Sequence, residues 1–152
     1  MDRVIEASEL GDVLNSLVDQ MDEDPFTAAL ESCREPVAAG FIEIFASKED
    51  ATGATWQPHA PATVALYGPH PLLRLSDAMY ESMIGQSEHH VESITDRELQ
   101  WGTSVEYAFA QNFGWRHIPA RQFAYFTEDA ISGCMEIISD YVDREMLARI
   151  TD

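Results

Sequence analysis

An apolar stripe running through a proline sets the strongest constraint on the fold. Phe26, Leu30, Cys33, Val37, Phe41, Ile44 and Phe45 recur at the spacing of one helix face, and the stripe passes Pro36 without losing phase. Proline inside a helix removes one backbone hydrogen bond and crowds the carbonyl four residues back. A helix broken there would restart with a new phase. The spacing therefore predicts one long helix kinked at Pro36. Asp24-Pro25 supplies a cap and a proline at the first helical position, the helix ends near Lys48, and Thr52-Gly53 opens a loop.

A helix with one apolar face needs another layer to cover it. Two further segments have helical spacing. Leu10, Val13, Leu14, Leu17, Val18 and Met21 oppose Asp12, Asn15, Ser16 and Asp19. Near the C-terminus, Thr127-Glu128-Asp129 offers a cap with two acids at the positive end of the helix dipole. The stripe expected to be buried there is Ile131, Cys134, Met135, Ile138, Tyr141 and Val142, with Arg144 and Arg149 toward the negative end.

The centre reads differently. Pro58, Pro61, Gly68, Pro69 and Pro71 fall within fourteen residues, where helix is not expected to persist. Ser76 is placed to cap a short helix through about Ile84, with Asp77 in its first turn and Met79, Tyr80 and Met83 inward. Leu99, Trp101, Thr103 and Val105 alternate with Glu98, Gln100, Gly102 and Ser104, the pattern of a half-buried strand. Thr95-Asp96-Arg97 reads as a turn, making residues 86–94 the hairpin partner. A turn or short helix at 106–112 stops at Gly114, and 121–126 reads as a further strand. The sum is an α+β fold, a small antiparallel sheet packed by a long kinked N-terminal helix and a C-terminal helix. Neither an internal repeat nor an interdomain linker is visible, so residues 1–152 read as a single domain.

Charge narrows the function. There are 27 acids against 9 bases, a net charge of −18. The balance is −10 over residues 1–50, −3 over 51–95 and −5 over 96–152. Such a surface repels a phosphate backbone, which disfavours nucleic-acid groove binding. Solubility is the plainer reading of the charge. A sharper one is a ring around moving DNA, whose negative lumen would prevent sticking. No stretch approaches the ~20 consecutive apolar residues of a membrane span. Met1-Asp-Arg-Val-Ile-Glu6 has no apolar signal core, so secretion is not expected. Cys33 and Cys134 each fall within an apolar stripe, and buried thiols are the preferred reading over a disulfide.

Chemistry is sparse. There is no phosphate-binding glycine loop, no G-x-S-x-G and no C-x-x-C. His89-His90, with Glu88 and Glu92 nearby, is the one adjacent pair of strong ligand types, and a metal hydrolase built on it is the weakest of the readings. Neighbouring side chains on a strand or helix diverge, and His59, His70 and His117 are scattered, so surface histidines are preferred. Cys134 as a nucleophile would need an exposed, electropositive site, and its stripe puts it inside. No catalytic residue, cofactor or metal site emerges, and the chain reads as a non-enzyme.

Four phrases in fixed order remain. They are Thr52-Gly-Ala-Thr-Trp56-Gln-Pro58, Pro71-Leu-Leu-Arg-Leu-Ser-Asp77-Ala-Met79, Tyr107-Ala-Phe-Ala-Gln-Asn-Phe-Gly114 and Ile118-Pro-Ala-Arg121-Gln-Phe123. Trp56 reads as a loop tryptophan folded onto the core rather than a ligand-stacking ring. Tyr107-Ala108 with Phe113-Gly114 reads as an aromatic anchor after the strand. For Arg121, a bridge to an acid within its own fold and one across a subunit interface both stay open.

In this order the phrases resemble the phage virion-morphogenesis family, the tail-completion or neck proteins of Mu-like and related tailed phages. The resemblance rests on Gly53-Ala-Thr-Trp56, Leu73-Arg-Leu-Ser76-Asp77-Ala-Met79-Tyr-Glu-Ser82, Tyr107-Ala108 through Gly114, and Ile118-Pro119-Ala120-Arg121-Gln-Phe123, and covers about residues 25–145. Asp77 departs from a glycine common in the family; if that position needs a positive φ, aspartate is among the few replacements tolerated. The strong acidity is a second departure.

The resemblance implies a structural virion protein without catalysis or cofactor, made in the bacterial host cytoplasm and placed in the neck or proximal tail. It implies a ring of copies of this chain, sixfold, at the head–tail junction. Its neighbours would be connector or head-closure proteins and the tail tube or tail terminator. Genomic DNA would pass through the lumen without specific binding, and no membrane is involved. A tail terminator capping the tube is the nearest alternative. An acidic DNA mimic blocking a host nucleic-acid-binding protein is an alternative of another class, which would need dense carboxylates along one face. The residues expected at subunit or partner contacts are Trp56, Arg74, Tyr107, Phe113, Trp115, Arg116 and Arg121, on the 52–74 loop and the 107–121 segment.

Overall fold

The N-terminal stripe folds as two helices in one phase. In the computed structural model, which describes residues 26–151, α1 spans Thr27–Ser32 and α2 spans Arg34–Ser47. The expected helix over 10–21, the cap at Asp24-Pro25 and the side chain of Arg149 lie outside what is described. The break falls at Cys33, one turn ahead of Pro36. Proline has no N–H to offer the Ser32 carbonyl, and its ring crowds that oxygen, so the helix yields on the N-terminal side of the proline. Cys33 keeps right-handed helical torsions and its N–H bonds to Ala29 and Leu30. Leu30, Cys33, Val37, Phe41, Ile44 and Phe45 therefore all stay buried on one face. Lys48 closes α2 with φ 58°.

The prolines of the centre do not exclude helix. α3 spans Pro61–Tyr67, correcting the expectation of unbroken loop. Pro61 occupies the first helical position, where no intrahelical N–H is required, and Gly68 at φ 74° ends the turn. α4 spans Ala78–Met83 and turns Met79, Ser82 and Met83 inward. Its cap is not Ser76, whose Oγ instead lies 3.5 Å from the Tyr107 hydroxyl. Asp77 occupies the N-cap in the left-handed region at φ 57°, a conformation aspartate tolerates better than most residues.

β1 (His90–Ile94) and β2 (Leu99–Thr103) form the expected antiparallel hairpin, with Glu92 opposite Trp101 and Ile94 opposite Leu99. Trp101 stacks on Phe41 at 6.4 Å and donates its indole N–H to the Met83 carbonyl at 2.7 Å. Arg34 grips Glu92 through both oxygens at 2.8 and 2.9 Å, fastening α2 to the hairpin. α5 spans Ala108–Phe113 and ends at Gly114, φ 79°. The stretch after it joins no sheet among the described residues. The N–H groups of Phe123 and Ala124 both bond to the buried Asn112 Oδ1 at 2.9 Å, and that of Arg121 bonds to the Gln111 carbonyl. A side chain thus occupies donors that a neighbouring strand would need, and the strand expected at 121–126 is absent.

α6 (Glu128–Thr151) starts as expected, with Thr127 Oγ1 accepting the Ala130 N–H at 3.1 Å. Its buried arc is narrower than the stripe expected. Ala130 is buried and Cys134, Ile137, Ile138, Tyr141 and Val142 are half-buried, whereas Ile131 and Met135 are exposed. The reason is close approach: a Cβ on Gly40 of α2 would lie 2.9 Å from Thr127 Oγ1, and one on Gly133 would lie 3.1 Å from Pro36 Cβ. Helices that near one another meet along small residues, which rotates the larger ones outward.

The core gathers α2, α4, α5 and the Trp56 and Phe123 loops around the Phe45 ring, with Trp56, Tyr80 and Phe123 at 5.2–5.8 Å. Among the described residues, no helix is long and apolar enough to cross a membrane.

Candidate functional site

Two stretches of this acidic chain contain no acid at all: residues 51–76 and 107–127 carry neither Asp nor Glu. The fold brings them together, and between them lies a cavity of about 450 Å³. One wall is the segment after α2, α3 and the turn leading to α4. The other is α5 and the chain through Arg121.

Arg121 fastens the two walls. It is 6% exposed, and donates Nε–H to the Gln57 carbonyl at 2.7 Å and Nη2–H to the Pro58 carbonyl at 3.0 Å. Nη1 lies 3.5 Å from Gln111 Oε1. Arg121 thus bridges no acid of its own fold, which corrects that expectation for it. Its own burial lowers its pKa from the ordinary arginine value. Trp56 is likewise internal, 4% exposed, with its indole N–H on the Gln122 carbonyl at 2.9 Å. This is the core-folded position expected of the residue, and it removes Trp56 from the set of surface contacts.

Arg74 lies on the cavity wall and is already partnered. It holds Asp77 at 2.7 and 3.3 Å and sits 3.8 Å from the centre of the Tyr80 ring. The hydrogen bond to Arg74 keeps the Asp77 carboxyl below the usual carboxylate range. His59 and His70 pack at 4.2 Å, and His59 Nε2 is buried with no hydrogen-bond partner. Burial, followed by the charges of His70 and Arg121, lowers the His59 pKa and favours the neutral ring.

An exposed apolar surface lies on the face of α5 away from the cavity-lining Gln111. Phe109 and Phe113 pair there at 4.9 Å, more than half exposed, and Trp115 follows at 56%. Trp115 and Ile118 exchange backbone hydrogen bonds at 3.0 and 2.8 Å, which forces Arg116 to φ 53° and presents its side chain outward. Of the fifteen large apolar side chains exposed among the described residues, ten lie in the two acid-free stretches. Tyr67, Leu75, Tyr107 and Ile118 meet at the cavity itself. Exposed apolar side chains concentrated in this way outline a candidate interaction surface.

The seven residues expected at contacts therefore separate. Tyr107 is exposed and lines the cavity; Phe113, Trp115 and Arg116 are exposed but outside its lining; Arg74 lines it, paired to Asp77; Trp56 and Arg121 are buried and position the walls. Leu66, Leu75 and Phe109 belong to the same exposed set and were not among the seven residues named from sequence, although Leu66 and Phe109 fall within the segments expected at contacts. The absence of acids over two long stretches was the signal that finds them.

The remaining chemical candidates resolve locally. His90 Nδ1 lies 2.9 Å from the Ser82 carbonyl and its ring packs on Trp101, while His89 is exposed. Among the described residues, no group of three or more His, Cys, Asp or Glu is placed to hold a metal. Cys134 meets Cys33 across α6 and α1, its Sγ 4.0 Å from the Cys33 carbonyl. Burial above all, and then its contact with Cys33, pushes the Cys134 thiol up to about 12, where it is a poor nucleophile.

No protein-family model, curated protein or solved structure matches this chain.

Proposed function

We propose that this chain is a structural subunit of a phage neck or tail-completion assembly. It forms a ring, sixfold, at the head–tail junction or the proximal end of the tail, between the connector and the tail tube. The observation that carries this reading is the acid-free, aromatic surface of the 51–76 and 107–127 stretches on a chain of net charge −18. The ordered phrases shared with the virion-morphogenesis family support it from sequence. A ring needs one patch of each copy to meet a different patch of the next. An apolar patch without carboxylates can be desolvated at little cost, whereas the acidic remainder of the surface repels its own kind. The acids then face solvent or the lumen, where negative charge keeps DNA moving.

The test separates assembly from folding. Phe113→Glu and Arg116→Glu each alter an exposed side chain, so the monomer should retain its circular dichroism and thermal midpoint. Incorporation into particles, or ring formation with the neighbouring neck proteins, should be lost. Full incorporation of both variants contradicts the reading.

A further inference from the structure

We propose that the cavity between the two acid-free stretches is a binding site for a single carboxylate group, with Arg121 as its charged anchor. Arg121 is a guanidinium 6% exposed on the cavity wall, and every oxygen bonded to it is neutral: the Gln57 and Pro58 carbonyls and Gln111 Oε1. Among the described residues, none of the ion pairs within 4.0 Å includes it. A guanidinium carries five N–H donors, more than these three acceptors take up, and a buried charge lacking a counter-ion is costly until one arrives.

The rest of the lining fits an anion. His59, His70, His117 and Arg74 line the same cavity, and no Asp or Glu does. Arg74 is neutralised by Asp77, and burial keeps His59 neutral. Arg121 is therefore the one arginine of the lining without a counter-ion, and its planar fork matches a carboxylate. His59 Nε2, buried without a partner, is an unsatisfied polar group at this wall. About 450 Å³ admits a small organic acid or one inserted side chain. A Glu or Asp side chain of a neighbouring copy and a free small acid present the same chemistry. The inference rests on the cavity alone and holds even if the ring reading fails.

The experiment titrates propionate, its neutral isostere propionamide and inorganic phosphate into the full chain at constant ionic strength. The readouts are the Arg121 Nε–H and histidine ring resonances. Propionate should give a saturable shift at Arg121 and His59, propionamide none, and phosphate a weaker response. Gln111→Glu places a permanent carboxylate against Nη1 with almost no change of shape. It should weaken propionate binding about tenfold or more, and raise Tm by about 2–4 °C. Arg121→Gln should abolish the propionate response. If that variant does not fold, Gln111→Glu carries the test alone. Absence of a saturable propionate shift overturns the proposal, as does propionate affinity unchanged by Gln111→Glu; either leaves Arg121 a clamp for the loop and nothing more. If propionate also dissociates assembled copies, the natural carboxylate belongs to a neighbouring copy; if assembly is indifferent to it, the ligand is a free acid.

Discussion

Arg121 reaches back sixty-four residues to the Gln57 carbonyl and holds it at 2.7 Å. With the Arg121–Pro58 and Trp56–Gln122 bonds, this contact fastens the segment after α2 to the segment after α5, the two walls of the cavity. Arg121→Met should destabilise the chain by about 2 kcal/mol, since it strips a donor from two carbonyls and removes a packed stem. Arg121→Lys should recover only part of that loss, because an ammonium cannot span both carbonyls in the plane a guanidinium offers. Urea unfolding of the two variants checks this, and equal stability of Lys and Arg at 121 would contradict it.

Asn112 replaces a strand partner. Its Oδ1 accepts from both Phe123 and Ala124 in a buried setting. Asn112→Leu should cost about 2–4 kcal/mol by leaving two N–H groups unsatisfied, while Asn112→Asp, which keeps the acceptor, should cost less. Comparable losses in chemical denaturation would show that packing at this position, and not hydrogen bonding, decides.

The Arg34–Glu92 pair predicts an acid-sensitive component of stability. The hydrogen bond to Arg34, partly opposed by burial, holds the Glu92 pKa below its ordinary value of 4.5. A depressed carboxyl pKa contributes stability that is fully present above the ordinary value and is lost as pH falls through the folded one. Because Arg34 is nearly half exposed, the effect is small, about 0.5–1 kcal/mol. Glu92→Gln should flatten that part of the stability profile below about pH 4.5 and leave the remaining carboxylates' contribution in place. A profile unchanged by Glu92→Gln rules out the pair as its source.

Gly40 sits where α2 crosses the start of α6. Replacing glycine by alanine normally favours a helix by about 1 kcal/mol. Here the new methyl meets Thr127 Oγ1 at 2.9 Å and Ala130 at 3.1 Å, and Thr127 is also the cap of α6. Gly40→Ala should therefore lower Tm and destabilise by about 1–3 kcal/mol. A rise in Tm would show that α6 moves aside freely.

Much of the fold was legible because its signals are periodic. The stripe from Phe26 to Phe45 kept phase through Pro36, and the alternation of Leu99, Trp101 and Thr103 gave the hairpin with its turn at 95–97. The failures share a cause: a side chain or a special backbone position substituted for regular structure. Asn112 took the donors of 123 and 124, Pro61 began a helix where prolines looked like breakers, and Asp77 rather than Ser76 occupied the helix entry. The stripe of α6 was drawn too wide because sequence does not show that Gly40 and Gly133 bring two helices close. At the site, aromatic residues and arginines were found by type, but type does not separate buried Trp56 and Arg121 from exposed Trp115 and Arg116. The distribution of acids would have done better, since what is missing from 51–76 and 107–127 outlines the surface.

The central claim is that this surface joins subunits of a virion neck. Cryo-electron microscopy of intact particles assembled in cells that express this chain tests it most directly. The account predicts density for the chain in a ring at the head–tail junction, with Phe109, Phe113 and Trp115 buried against a neighbouring subunit. Particles that lack the chain, or a ring in which those three side chains face solvent, would contradict it.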